Sequence, residues 1–336
     1  MTGSSPLVSV VLPFYNAEAT LRRALDSVAK QSFQDFECIM VDNNSTDQSP
    51  RIANRYVHHD RRFRLVSEQQ KGVVHASNRG CTLAKGKYIA RMDADDESLS
   101  NRLKQQVDFL ENHPEMDAVG GKVIYGSGVK GRGFDRYVNW VNSIDSEEKI
   151  HLMQFVEMPV VNPSMMWRAL SAERFELYRE GPFPEDYEMW LRWLNGGARI
   201  TKIPQKILRW HDNPARLTRT HERYSEEAFF KVKSEYLARW LAENNPFHPD
   251  VVVWGASRQS RKNATLLENH GINIRHYIDI KAARDIRKPV IHYQNLPSPE
   301  SAFILVYVKL PQAQRQILEY LTKSGYREGK NYLLAS

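Results

Sequence analysis

Short apolar runs alternate with amphipathic stretches from Leu7 onward, and each run ends in a polar loop. Residues 7–12 read as a buried strand ended by a loop at 13–16. A helix follows, with Asn16 as its N-cap and Leu21, Leu25 and Val28 on one face. The unit then repeats, with a strand at 36–41 stopped by the turn-rich loop 42–47, a helix at 49–56, a strand at 63–66 and a helix from Gly72 to about Ala84. The next run, 87–92, stops abruptly at Asp93-Ala94-Asp95-Asp96. Strands alternating with helices predict a mostly parallel sheet with helices on both faces, whose ligands bind beyond the carboxyl ends of the strands. The loops at Tyr15, Asn43 and Asp93 all fall at that edge.

Further along, 101–113 reads as a helix, 118–124 as a strand and 126–133 as a glycine-rich mobile loop with no phosphate-binding fingerprint. A helix is expected at 145–155 and a strand at 162–167. An acidic pair, Glu185-Asp186, opens another helix, and a strand at 203–210 ends in His211-Asp212-Asn213. Residues 225 to about 244 form a long amphipathic helix capped by Ser225, and 244–249 a linker. Beyond it lie strands at 251–254, 272–278, near Val290 and at 303–307, with helices to about Asn269 and over 311–324, glycine caps at Gly271 and Gly325, and a short apolar tail. This set predicts a small α/β domain of Rossmann type. The expected domains are thus 1–222, a connecting helix and linker 223–249, and 250–336.

In the small domain, Gly255-Ala256-Ser257-Arg258-Gln259-Ser260 fills the place of GxGxxG, with Ser257 and Ser260 where the second and third glycines belong. Asp279 follows where an acidic residue would grip a ribose hydroxyl. With two glycines missing, a structural or docking role is favoured over a dinucleotide site.

Composition narrows the picture modestly. A net charge of +7 over 336 residues, with basic clusters at 51–64 and 209–223, suits an anionic substrate, a nucleic acid or an anionic membrane surface, and equally a solvated basic face. Two cysteines cannot form a disulfide framework, which fits a reducing cytosol. No apolar stretch approaches a membrane span, so any membrane association is expected to be peripheral. Asp93, Asp95 and Asp96 at a strand end could hold a divalent ion and a bound diphosphate, or form a solvated turn before a helix.

Several of these pieces occur together in one known family. Residues 10–16, 41–47, the helix start 72–78, Asp93-Ala94-Asp95-Asp96 and 185–190, in that order, resemble the family 2 glycosyltransferases of GT-A fold over residues 7 to about 215. The resemblance implies a nucleotide site of Pro13, Tyr15, Asn16, Asp42, Asn43, Asn78 and Asp93, with Tyr15 against the base and Asn43 accepting its N–H. It implies a Mg²⁺ or Mn²⁺ ion held by Asp93, Asp95 and Asp96, with His211 near the metal and diphosphate. Asp186 would be the general base of an inverting transfer from a nucleotide-diphosphate sugar, UDP-hexose above others, to a saccharide or glycolipid hydroxyl. Ser77 departs from the family, many of whose members carry Arg there; Lys71 or Arg79 could supply the phosphate contact.

A narrower likeness, at 136–142, 184–186 and 253–261, is to cytosolic relatives of the tRNA-queuosine galactosyltransferase, for which tRNA would be the acceptor. A nucleotidyltransferase would need a glycine-rich loop after the first strand, and 13–16 supplies none. A catalytically inactive nucleotide-sugar binding protein is the third alternative.

Overall fold

The computed structural model describes residues 5–126, 132–212, 217–282 and 288–336. The chain groups into two compact units. The first takes residues 1–150, 160–181 and 188–221, and the second 151–159, 182–187 and 222–336.

The first unit is built on an eight-stranded sheet of β1 (Val8–Phe14), β2 (Phe36–Asp42), β3 (Phe63–Ser67), β4 (Tyr88–Arg91), β5 (Glu97–Ser98), β6 (Ala118–Gly126), β7 (Met166–Arg168) and β8 (Ile200–His211). Their order is β3-β2-β1-β4-β7-β6-β8-β5. Strands β1 to β4 run parallel, as do β6 and β8. The short β7 is inserted antiparallel between β4 and β6, and β5 lies antiparallel on β8.

Every residue of β1 is buried, as expected of a central parallel strand covered on both faces. Its one polar side chain, Ser9, donates to Glu37 Oε1 at 2.7 Å and accepts from the N–H groups of Lys85 and Gly86, so the turn before β4 is tied to the core. Leu21, Leu25 and Val28 face this core from the helix Leu21–Ala29.

Three sequence expectations need correction. The first helix begins after Thr20, because Asn16 sits at φ 46 in the loop and cannot be its N-cap. Residues 162–164 are a 3₁₀ turn before a short antiparallel strand, where one longer strand was expected. Part of the expected glycine-rich loop, 127–131, lies outside the described residues, and from Arg132 the chain is helical to Ser143. Asn213 also lies outside them.

The second unit carries a five-stranded, wholly parallel sheet of β9 (Asp250–Trp254), β10 (Asn273–Asp279), β11 (Val290–His292), β12 (Ile304–Val306) and β13 (Tyr332–Leu334), ordered β11-β10-β9-β12-β13. The expected apolar tail supplies β13. The helix Glu226–Asn244 groups with this unit; Ser225 caps it by accepting from the Ala228 N–H, and Trp240 packs edge-on against Phe303. Among the described residues, no helix is long and apolar enough to cross a membrane.

Candidate functional site

Three polar loops emerge from the carboxyl ends of β1, β2 and β4, and hydrogen bonds join the first two. Beyond Val11, β4 no longer pairs with β1, so Pro13 occupies a position where a missing N–H is tolerated. Asn16 Oδ1 accepts from the Thr46 N–H at 2.8 Å, and the Asn16 N–H donates to Ser45 Oγ at 3.0 Å. Asp42 Oδ1 accepts from the Ser45 N–H at 3.1 Å and shapes the turn that offers these partners. Tyr15, between the two loops, is 55% exposed and turns its ring to solvent.

Asn43 is buried, and its amide holds the next loop: Nδ2 donates to the Glu68 and Gln70 carbonyls at 3.0 and 2.7 Å, and Oδ1 accepts from the Gly72 N–H at 2.7 Å. Asn78 likewise pairs with the backbone of Tyr178, donating to its carbonyl at 2.8 Å and accepting from its N–H at 3.2 Å. Both asparagines shape the walls of the site through these bonds. A base N–H at Asn43 would have to share Oδ1 with Gly72.

At the end of β4, one oxygen from each of Asp93, Asp95 and Asp96 lies within 4.8 Å of the others. Hard divalent ions such as Mg²⁺ and Mn²⁺ take oxygen ligands, which three carboxylates on one short loop can supply. Asp96 is completely buried, and its Oδ1 accepts from the His211 N–H at 2.9 Å, which joins the acidic loop to β8. The His211 ring lies 3.3 Å from Glu97 Oε2 and packs over Gly126, its neighbour on β6. A Cβ at Gly126 would come within 2.5 Å of Nδ1, so the ring can lie there only over a glycine.

Sequence reasoning missed the arginines that hold this cluster. Arg91, buried at the end of β4, grips Asp93 Oδ1 through Nε at 2.9 Å and Nη2 at 2.8 Å, and donates from Nη1 to Ser77 Oγ at 2.6 Å. Ser77, in the helix Val73–Leu83, thus receives an arginine from β4. Arg102, also buried, donates to the Arg91 carbonyl at 2.7 Å; burial pushes its pKa down to about 10, while Asp96 and Asp93 pull it the other way. Arg23 donates to the Asp95 carbonyl at 2.6 Å. The available signal was an arginine on each apolar face, in β4 and in the helix Arg102–Asn112 beside Leu103 and Val107.

Glu185 and Asp186 open the helix Glu185–Asn195, and both group with the second unit. Glu185 is buried and accepts from the Tyr224 hydroxyl, which lies 2.9 and 2.7 Å from its two oxygens, with Arg223 at 3.8 Å. Asp186 is half-buried, and its Oδ1 accepts from the Tyr187 N–H at 2.8 Å. Of the pair, Asp186 is the one a substrate can reach.

Residues 9–174 match the family model described as Glycosyl transferase family 2. EpsE of Bacillus subtilis (strain 168), named as a glycosyltransferase, is 31% identical over 228 residues, which cover 66% of this chain and 79% of EpsE. An uncharacterized glycosyltransferase of Haemophilus influenzae is 27% identical over 245 residues, 70% of this chain and 75% of its own. The crystal structure of Staphylococcus aureus TarS 1–349 in complex with UDP-GlcNAc superposes with a TM-score of 0.53 at 19% identity, covering 78% of this chain and 70% of that one.

Proposed function

Because this chain belongs to glycosyl transferase family 2, we propose that it moves a sugar from a nucleotide-diphosphate donor, a UDP-hexose above others, to a hydroxyl of a saccharide or glycolipid, inverting the anomeric carbon. The observation that carries this reading is the group of three carboxylates at the carboxyl end of β4, in the parallel part of the first sheet, braced by buried arginines. TarS, of the same fold, is described with UDP-GlcNAc, a donor of this class.

Mg²⁺ or Mn²⁺, when bound, offsets the charge that develops on the leaving diphosphate. The chain's own residues do the rest. Asp93, Asp95 and Asp96 would hold the ion, and Arg91 fixes the orientation of Asp93. Tyr15 offers its exposed ring to the base, while Asn16, Asp42, Asn43 and Asn78 keep the surrounding loops in one geometry. Such preorganisation matters because a donor positioned by fixed loops loses less entropy on reaching the reactive geometry. Asp186 takes the proton of the acceptor hydroxyl as its oxygen attacks the anomeric carbon from the face opposite the diphosphate, and the bond from that carbon to the diphosphate oxygen breaks.

The test is a panel of nucleotide-diphosphate sugars titrated with and without Mn²⁺, read by thermal shift and by slow donor hydrolysis. Metal-dependent binding of a uridine donor is expected. If no uridine, guanosine or thymidine diphosphate sugar binds in a metal-dependent way, the reading fails.

A further inference from the structure

The second unit has a site of its own. Numbered from its first strand, its sheet runs 3-2-1-4-5, so the strand order reverses between β9 and β12. Parallel sheets bind ligands in the crevice that such a reversal opens at the carboxyl ends of the strands. A cleft of about 720 Å³ lies there, lined by residues that follow β9, β10 and β12, among them Gly255, Asp279 and Val308.

We propose that this cleft is a ribonucleoside site, with the vicinal ribose hydroxyls on Asp279 and the base against the aromatic wall of Trp254, Tyr293 and Tyr320. Asp279 ends the second strand of the sheet. Its Oδ2 accepts from the Ala256 N–H and its Oδ1 from the Ile280 N–H, each at 2.7 Å. Two backbone donors thus fix the carboxylate, which has lone pairs left for a diol. The wall is rigid because its rings pack on one another, Tyr293 on Tyr320 at 5.3 Å and Trp254 on Tyr320 at 6.0 Å between centroids. Ile280 and Leu310 flank the cleft and are 68% and 71% exposed, apolar surface that a bound base would cover.

The same loop explains why the glycine pattern is incomplete. Gly255, at φ +121 with a would-be Cβ 3.1 Å from the Tyr307 carbonyl, keeps the first glycine's role of a tight turn. Ser257 Oγ accepts from the Ser260 N–H at 3.0 Å, and Ser260 Oγ donates to the Tyr307 carbonyl at 2.9 Å. The serines fill the place where a pyrophosphate would approach, and Lys309 at the rim is paired with Glu226 at 2.6 Å. The cleft therefore recognises a nucleoside end and makes no grip on a diphosphate. An adenosine-type or a uridine-type compound could provide that end.

The test uses the whole chain carrying Tyr15→Ala, Asp93→Ala and Asp95→Ala, titrated calorimetrically in EDTA with AMP and with UMP, so that both the base contact and the metal carboxylates proposed for the first sheet are removed. One of the two should bind, and which one identifies the source. Affinity should fall about tenfold or more for the 2′,3′-dideoxy counterpart, and similarly for added Asp279→Asn. The dideoxy comparison leaves Asp279 in place, so a folding defect of the variant cannot imitate the result. Binding of neither nucleotide, or equal binding of the ribose and dideoxy forms, overturns the proposal.

Discussion

The two sheets of this chain, one mixed and one wholly parallel, share the parallel strand order 3-2-1-4 and have opposite chemistry at the carboxyl edges of those strands. In the first, three carboxylates converge within 4.8 Å, with buried Arg91 and Arg102 beneath them. In the second, Asp279 and the rings of Trp254, Tyr293 and Tyr320 line one cleft, and Lys309 at its rim is paired with Glu226. The lesson is that a parallel sheet supplies only a place. The side chains at its strand ends decide whether that place suits a metal diphosphate or a neutral ring and diol.

The sharpest way to break the comparison is Asp95→Ala. If Asp95 has the proposed metal-holding role, its removal should lower sugar transfer roughly a thousandfold, several kcal/mol of transition-state stabilisation, and leave nucleotide titration of the second cleft unchanged. Steady-state kinetics and calorimetry check the two halves separately; equal damage to both would show that the edges are not independent.

Asp186→Asn should retain donor binding and lose transfer by about a hundredfold or more, the range of general-base catalysis. Glu185→Gln, which keeps a partner for the Tyr224 hydroxyl, should stay within a few-fold of the parent rate. A larger loss from Glu185→Gln than from Asp186→Asn would reverse the roles of the pair.

Each edge also depends on one glycine, for different reasons. Gly126→Ala would press a methyl into the His211 ring at 2.5 Å, costing about 1–3 kcal/mol by overpacking and weakening metal-dependent donor binding. Gly255→Ala would strain the backbone at φ +121, costing about 1–3 kcal/mol without touching metal dependence. Denaturant melts with and without Mn²⁺ separate the two.

The smallest effect expected is one of pH. Each unit buries a lysine, Lys202 in the first and Lys233 in the second, and burial pushes both pKa values down to about 7. Between that value and the ordinary lysine range near 10.5, the unfolded chain holds protons the folded chain lacks. Stability therefore rises with pH across this window and levels off at its lower value below about 7, where both states hold the proton. Lys202→Met should flatten part of that slope in urea melts at pH 7 and pH 9; an unchanged slope would show that Lys202 stays charged.

Much of this was legible in the chain. Apolar runs such as 36–41 gave strands because a central parallel strand is buried on both faces, and Ser225 marked its helix because a hydroxyl there satisfies the Ala228 N–H. The acidic triplet was visible because three carboxylates at a strand end are a local pattern. Less legible were the long-range partners. Asn43 and Asn78 are polar loop residues in sequence, yet their amides hold Gly72 and Tyr178, residues far along the chain. Asn16 resembles a helix cap until the second loop claims its side chain.

By itself, then, the sequence determined the alternation of strands and helices, the two α/β sheets and the acidic edge of the first, since periodicity, turn chemistry and local charge are properties of neighbouring residues. Only the tertiary structure decided the antiparallel insertion of β7, the arginines beneath Asp93, the glycine under His211 and the reversal that opens the second cleft. Each of these depends on which distant segments lie side by side, a choice made by the packing of the whole sheet.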